Sequence, residues 1–182
     1  MSINHAILGI LSFKSLTGYD LKKIIQESPF MYWSGNNNQI YKSLVELHNQ
    51  GYVTNEVRHQ ESSPSKKIYT ITTEGLSELK QWVSSSPESP EFKKKFLIQL
   101  AWAEQLNYDE LNKLLSEYEN EIRMQIILHE EKKRRKAFTP DRTRRESFLW
   151  DMIFDNIISS YQNELDWVQK VRSGLSNNIN KG

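Results

Sequence analysis

The stretch NQIYKSLVELHNQGYV, residues 38–53, decides the fold of the first half of this 182-residue chain. Its apolar residues Ile40, Leu44 and Leu47 recur at the spacing of one helical face. Gly51 follows at the point where many helices end in a left-handed conformation, and the residues after it are aromatic and β-branched, which favours a strand. The pattern predicts a helix that starts near Asn36, ends before Gly51 and leads into a strand.

Shorter elements surround this helix. Apolar residues at helical spacing predict a first helix from about residue 3, and Thr17 with Asp20 forms the spacing of a capping box at the start of a second. After the third helix, residues 52–54 and 68–71 favour two strands, and the polar segment 58–67 between them is expected to be a flexible hairpin tip. Thr73 then opens a short helix.

Three helices followed by a hairpin is the order of a winged helix-turn-helix, in which the second helix of the pair lies in the major groove of DNA. The predicted outward face of the third helix carries Asn38, Lys42 and Asn49, with Gln39, Ser43 and Glu46 beside it. Asn and Gln can pair with adenine, and Lys can reach guanine or phosphate. The backbone N–H groups at the helix start can also meet a phosphate. The candidate DNA-binding residues are Asn36, Asn37, Asn38, Gln39, Tyr41, Lys42, Arg58, Lys66 and Lys67.

Two plainer interpretations stay open. Asparagine runs usually form caps and loops, and a basic hairpin tip is usually only solvated. Tyr41, at the edge of the apolar face, can equally pack against the domain. Winged helices also serve as protein-interaction modules, so an interaction module without sequence-specific DNA binding is the alternative function.

A Ser/Pro cluster at residues 84–90 divides the chain, because two prolines among serines neither pack nor continue a helix. The predicted domains are residues 1–86, a winged helix-turn-helix, and residues 91–174, an all-helical dimerisation domain; the fold class is therefore mainly α. The final helix is predicted over residues 141–173. Two heptads there are fewer than the three or four that establish a coiled coil. The candidate dimer contacts at heptad spacing are Phe154, Ile158, Tyr161, Leu165 and Val168.

Other apolar residues of the final helix, Phe148, Met152 and Ile157, lie away from that stripe. A helix that is apolar on two sides needs two partners. We therefore expect a homodimer formed mainly by residues 141–173, to which the first helix could add.

Composition excludes several classes of protein. The absence of cysteine excludes disulfides, a thiolate nucleophile and Cys-ligated metal sites. The four histidines are scattered, so no metal site is expected, and no phosphate loop, nucleophile elbow or zinc-protease motif is present. We expect no enzymatic activity and no cofactor. The start shows no signal peptide and no run of apolar residues could span a membrane, which predicts a cytoplasmic protein.

The net charge of +1 does not by itself indicate a nucleic-acid partner. Lys+Arg and Asp+Glu number eight and seven before Pro87, and sixteen each after it. Binding to DNA therefore has to depend on the few cations at Lys42, Arg58, Lys66 and Lys67, which are expected to share one surface.

The chain contains five tryptophans, several of them on or beside helical apolar faces. Packing in the core and at the interface is the simpler explanation. An aromatic pocket for a flat effector, near the junction of the domains, is the functional one. Its candidate residues are Trp82, Trp102 and Trp150.

Several motifs resemble the PadR-type transcriptional regulators. Residues 6–11 (AILGIL) and 16–22 (LTGYDLK) resemble the family's opening, residues 39–47 and 51–53 (QIYKSLVEL, GYV) its recognition helix, and residues 67–75 (KIYTITTEG) its second wing strand. The resemblance covers roughly residues 3–83. Lys42 stands where the family usually has proline, and Tyr32-Trp33 upstream points to the longer, virulence-activator-like branch.

In that branch a helical domain follows the winged helix and builds the dimer. The resemblance therefore implies a homodimeric regulator that binds a roughly palindromic operator, and repression is the favoured effect. Relatives of this fold often respond to small aromatic molecules, which is the basis of the effector alternative for the tryptophans.

Overall fold

The computed structural model describes residues 3–31, 38–60, 63–90, 94–136 and 139–179. The chain divides into two compact units, residues 1–88 and residues 89–182. The helices and strands confirm the predicted fold class: the first unit is a winged helix-turn-helix and the second is helical. Within the described ranges, no helix combines the length and apolar character that crossing a membrane requires.

The first unit consists of four helices and a three-stranded antiparallel sheet in which β3 lies between β1 and β2. The strand β1 was not predicted, because two residues are too few to show an alternating pattern. The elements are α1 (Ile3–Leu11), β1 (Leu16–Thr17), α2 (Gly18–Glu27), α3 (Asn38–Asn49), β2 (Val53–Gln60), β3 (Ser63–Ile71) and α4 (Thr73–Val83).

Local signals set the helix boundaries. The Thr17 hydroxyl accepts a hydrogen bond from the Asp20 backbone N–H at 3.1 Å, and the Thr17 backbone N–H donates to the Asp20 carboxylate at 3.4 Å, which confirms the predicted capping box. Gly51 has a φ of 74°, the left-handed conformation expected for the residue that ends α3. These two ends fix the segment that carries the helix-turn-helix.

The core of the first unit forms where α1, α2 and α3 meet the sheet. Leu21, Leu44 and Leu47 are fully buried, together with Ile7 and Leu8 of α1. The predicted inward face of α3 is confirmed, but Ser43, expected on its exposed side, is buried. The buried side of α3 thus includes Ser43 beside Ile40, Leu44 and Leu47, and the serine side chain is small enough to pack there.

The wing is more ordered than the sequence pattern suggested. Arg58, Lys66 and Lys67 were expected in a flexible tip, but they lie in paired strands: Arg58 is opposite Lys66, and Val57 is opposite Lys67. The polar composition of the segment hid the pairing, since a strand exposed on both faces shows no hydrophobic alternation. The ladder continues to Gln60 and Ser63, with an irregularity between Arg58 and Gln60.

The second unit is built on a long helical hairpin. Its elements are α5 (Lys95–Ala101), a 3₁₀ turn (Ala103–Gln105), α6 (Tyr108–Arg135) and α7 (Arg144–Ile179). Asn107 and Glu110 form a capping box at the start of α6, with hydrogen bonds of 2.9 and 3.0 Å.

The expectation that the last helix ends at Gly174 was wrong. A glycine lowers helix stability by about 1 kcal/mol but does not end a helix unless it takes a left-handed conformation, which Gly174 does not. Val171 and Leu175 continue the apolar face, and both pack against the core of the unit.

The predicted dimer stripe of α7 packs inside the chain. Val168 is completely buried, and Phe154 and Leu165 are nearly so, while Ile158 and Tyr161 are half-buried. Leu165 and Val168 share a cluster with Leu115 and Ile122 of α6 and with Phe96 of α5. The heptad spacing thus identified a buried face of α7, and Tyr161, Leu165 and Val168 of that face pack against α5 and α6 of the same chain.

Polar contacts fix the register of the hairpin. Arg172 donates to Glu119, Asn112 and Ser116 of α6 at 3.0–3.1 Å, and Lys133 donates to Asp155 at 2.6 Å. Glu164 accepts from the Tyr118 hydroxyl at 2.8 Å and from Lys94. Burial and the neighbouring Glu164 both raise the pKa of Tyr118, so this hydroxyl keeps its proton.

Candidate nucleic-acid interface

The exposed face of α3 is the first part of the candidate interface. Residues 38, 42, 45 and 49 follow one another at steps of four, three and four, so they share one side of the helix. All four are exposed, and this side is opposite the fully buried Leu47. The structure therefore brings the predicted residues Asn38 and Lys42 together, with Gln39 exposed beside them. The predicted residues Asn36 and Asn37 lie outside the described residues.

Val45 is a member of this face that the sequence reasoning missed. Its side chain is 59% exposed and lies between Lys42, Glu46 and Asn49 on the helix surface. Its side chain has no hydrogen-bonding group, so the pattern of amide and ammonium side chains did not indicate it. The signal that could have found it is its helical phase, which separates it from the buried row of Ile40, Leu44 and Leu47.

Tyr41 is anchored by the start of α2. Its ring lies against Gly18, where a β-carbon would come within 2.7 Å of the ring Cε1 atom. The ring is nevertheless 46% exposed. Burial raises the pKa of the Tyr69 hydroxyl in β3, and Tyr41 raises it further, so the two phenols are electrostatic neighbours. Tyr41 thus packs against the start of α2 and stays partly exposed, and its contact with DNA stays a prediction.

The wing is the second part of the candidate interface, and its cations lie on both faces of the hairpin. Arg58 and Lys66 are directly opposite each other and share one face, whereas Lys67 follows Lys66 and points to the other face. The expectation that these cations share one surface therefore needs correction for Lys67. Like charges directly opposite each other weaken a strand pair, so this arrangement favours an anionic partner.

Carboxylates offset only some of the cations. Arg58 Nε is 3.5 Å from Glu56 on the same strand. Within the part of the chain that the structure describes, no ion pair joins Lys42, Lys66 or Lys67 to a carboxylate. These three exposed ammonium groups are available to phosphates.

The candidate effector residues lie in different surroundings. Trp82 in α4 stacks on His5 with ring centroids 4.6 Å apart, and His5 is also 3.2 Å from Glu78. Trp150 is half-buried in α7. Trp102 is 72% exposed and lines an open groove of about 390 Å³ in the second unit. The groove is lined by Gln99, Trp102, Ala103, Leu106, Glu110, Lys113, Leu114 and Glu117.

The groove has an apolar floor and a charged rim. Ala103 is buried at its base, and Lys113 and Glu117 stand one helical turn apart on α6 with 3.9 Å between Nζ and Oε1. Glu110 is engaged in the capping box of α6. Trp102 therefore lies in a groove that could receive a flat molecule. Among the described residues, no three His, Asp or Glu side chains group as a metal site would require.

A helix-turn-helix with an ordered wing, followed by a helical unit, is the architecture of a class of bacterial transcriptional regulators. The model of the PadR-like transcriptional regulator family matches residues 7–81, and the model of the virulence activator alpha C-terminal domain matches residues 92–176. The chain belongs to the PadR-like family of transcriptional regulators, in its longer branch, as the sequence motifs indicated.

Two curated relatives support this assignment. The negative transcriptional regulator PadR of Bacillus subtilis is 31% identical over 116 residues, which are 63% of this chain and 64% of the relative. The probable transcriptional regulator Rv1176c of Mycobacterium tuberculosis is 33% identical over 90 residues, which are 50% of this chain and 47% of the relative. The match thus spans less than two thirds of either relative.

Solved structures show the same fold over nearly the whole chain. B. subtilis PadR in complex with operator DNA superimposes with a TM-score of 0.80 at 22% identity, covering 94% of this chain and 97% of that one. The same protein in complex with p-coumaric acid superimposes with a TM-score of 0.77 at 23% identity, covering 96% of this chain and 98% of that one. The Vibrio cholerae virulence activator AphA superimposes with a TM-score of 0.68 at 25% identity, covering 97% of this chain and 99% of that one.

Proposed function

We propose that this protein is a transcriptional regulator that binds a roughly palindromic operator as a homodimer, with repression as its favoured effect. The observation that carries the proposal is the exposed face of α3, where Asn38, Lys42 and Asn49 line up opposite a fully buried row. Amide and ammonium groups on one helical face match the donor and acceptor pattern of base edges in the major groove. A regulator of this kind acts where the chromosome lies, which in bacteria is the cytoplasm.

The residues divide into two roles. Asn38 and Gln39, at the start of α3, contact bases, and Lys42 contacts a base or phosphate. Asn36 and Asn37 are proposed to extend the contact before the helix. Arg58, Lys66 and Lys67 contact phosphates from the wing, and Tyr41, which is partly exposed, contacts the DNA backbone. Phosphate contacts position the protein, whereas base contacts give the sequence preference.

The homodimer forms through the helical unit. The outward face of α7 carries Phe148, Leu149 and Met152, all exposed, on the side opposite the buried stripe. A second exposed apolar group, Met124, Ile127 and Leu128, lies on α6. Clusters of this kind on a monomer indicate interaction sites. These residues, in place of Phe154–Val168, are the proposed dimer contacts.

A small aromatic effector binds in the Trp102 groove. The relative PadR of B. subtilis has been solved with p-coumaric acid, a planar phenolic acid. In this chain the exposed indole offers a stacking surface, and Lys113, whose exposed contact with Glu117 is long at 3.9 Å, offers a cation for a carboxylate. The groove thus has the two features that a phenolic acid would use, whereas Trp82 is already occupied by His5.

The test is selection of genomic DNA fragments with the purified full-length protein, followed by affinity measurements from about 50 to 200 mM salt. We expect a specific operator and a steep salt dependence, since each phosphate contact adds about 0.9 to the logarithmic slope. Replacing Lys42, Lys66 or Lys67 by alanine removes two contacts from a dimer, so the slope should fall by nearly two in each case. Replacing Asn38 or Gln39 should instead relax the base preference.

A protein-interaction module is the alternative function. A winged helix that binds a protein would show no selected operator and a shallow salt dependence. Unchanged operator affinity in all the lysine and asparagine variants would also reject the docking of α3 and the wing on DNA.

A further inference from the structure

An apolar side chain lies at the centre of the polar face of α3. At 100° per residue, Val45 lies within about 20° of Asn38 and about 40° of Asn49 around the helix. The same rotation places it nearly opposite Leu47, which is fully buried. Val45 therefore contributes little to the core, and 59% of its surface meets solvent.

Helix stability does not explain a valine there. A β-branched residue on an exposed helix surface is less favourable than alanine, lysine or glutamate, because its side chain loses rotamer freedom against the preceding turn. Polar residues occupy the neighbouring exposed positions Lys42, Glu46 and Asn49. Tyr41, one helical turn before Val45, has its ring against Gly18, so the exposed part of Val45 would gain a favourable contact from a partner that brings an apolar group to the same place.

The major groove of DNA offers one such group. Base edges there present hydrogen-bond donors and acceptors, and thymine adds its C5-methyl group. We infer that Val45 contacts the methyl group of a thymine in each operator half-site and makes that position specific for thymine. The inference rests on the proposed function, since it requires α3 to lie in the major groove.

The geometry also limits where this thymine lies. Val45 follows Asn38 by seven residues, which is about 10 Å along the helix axis. Base pairs are about 3.4 Å apart, so a helix lying along the groove spans about three steps between these residues. The thymine should therefore lie within about three base pairs of the base whose identity depends on Asn38.

Deoxyuridine provides the test, because it differs from thymidine only by the missing methyl group. Each thymine of the selected operator is replaced by deoxyuridine in turn, symmetrically in both half-sites, and affinity is measured by fluorescence anisotropy. Burying one methyl group is worth about a fourfold change in affinity, so the symmetric replacement at the contacted position should weaken wild-type binding about fifteenfold.

The variant Val45→Ala should bind the thymine and deoxyuridine operators equally. The control Val83→Ala removes the same atoms from an exposed valine at the end of α4, 69% accessible, and should keep the wild-type discrimination. Thermal unfolding should be nearly unchanged in both variants, since neither side chain is buried.

The outcomes separate this inference from the function on which it rests. If the wild-type protein selects no operator, the proposed function fails and the inference fails with it. If it selects an operator but Val45→Ala keeps the full deoxyuridine penalty, or if no thymine shows a penalty, only the thymine contact is rejected.

Discussion

Tyr41 closes over Gly18 so tightly that a β-carbon at position 18 would lie 2.7 Å from the ring Cε1 atom. The same β-carbon would be 3.4 Å from Leu44 Cδ1, an ordinary contact. Because Gly18, the first residue of α2, has no side chain, the first turns of α2 and α3 can lie close to each other. It also determines where the exposed phenol of Tyr41 points.

This contact separates a binding defect from a folding defect. In Gly18→Ala the ring of Tyr41 can swing toward solvent, so the free energy of unfolding should fall by less than about 1 kcal/mol. Operator affinity should fall about as much as in Tyr41→Ala, because the hydroxyl leaves its position. Urea unfolding and anisotropy measure the two effects. Wild-type affinity in Gly18→Ala, with a clear defect in Tyr41→Ala, would show that the contact does not position the phenol.

Gly75→Ala is the matched control. A β-carbon there would lie 2.2 Å from the Tyr52 carbonyl oxygen, which belongs to the backbone and cannot swing away. This variant should lose about 3 kcal/mol or more of unfolding free energy. Equal losses of stability in the two glycine variants would contradict the distinction.

The two faces of α7 should respond differently to substitution. Phe148→Glu combined with Leu149→Glu places charges on the exposed face, so the dimer should dissociate while each monomer stays folded. Leu165→Ala removes a buried side chain and should cost about 2–5 kcal/mol of unfolding free energy. Sedimentation velocity and urea unfolding measure the two effects. A Phe148/Leu149 variant that remains dimeric would assign the interface elsewhere, with Met124, Ile127 and Leu128 as the next surface to test.

The Trp102 groove should report effector binding by fluorescence. Phenolic acids and other planar aromatic compounds are expected to quench tryptophan emission to saturation in the wild-type protein and in Trp82→Phe. The quenching should be lost in Trp102→Phe, which removes the indole that lines the groove. A flat response across the whole panel would remove the effector from the proposed function. Quenching that survives in Trp102→Phe would place the site elsewhere.

His129 should make the stability of the helical unit depend on pH. It is buried between α6 and α7, its ring stacks on Tyr161 at 5.4 Å, and burial, with Lys132 nearby, lowers its pKa below 6.5. The unfolded chain therefore takes up a proton at a higher pH than the folded one. Stability should be fully present above pH 6.5 and should decrease as the pH falls below it.

Urea unfolding of the wild-type protein at pH 7.5 and pH 5.5 should show this loss. His129→Phe cannot bind a proton, so it should be less sensitive over the same interval, even if its unfolding free energy at pH 7.5 differs. Equal pH dependence in the two proteins would assign the titration to other groups.

Local rules made much of the first unit predictable. The spacing of Ile40, Leu44 and Leu47, the Thr17–Asp20 box and the left-handed Gly51 each depend on a few neighbouring residues. The strand β1 was not predicted, because its pairing with β3 joins residues more than fifty positions apart. The outer parts of the two wing strands were not predicted, because neither of their faces is buried near the tip.

The helical unit shows the limit of periodicity as a guide. The spacing from Phe154 to Val168 identified a buried face, but periodicity says which side of a helix is covered and not what covers it. Val45 shows the converse problem. A search for polar groups that suit DNA overlooks an apolar residue, whose significance becomes clear only when its exposure is known.

The short pairing of β1 with β3 joins the wing to the helix-turn-helix. Leu16 and Thr17 join β3 through Tyr69 and Ile68, and the next residue begins α2. The strand that carries Lys66 and Lys67 is thus tied directly to the helix on which α3 packs. In the proposed complex with DNA, this connection would hold α3 and the wing at one separation, so the number of base pairs between their contacts would be constant.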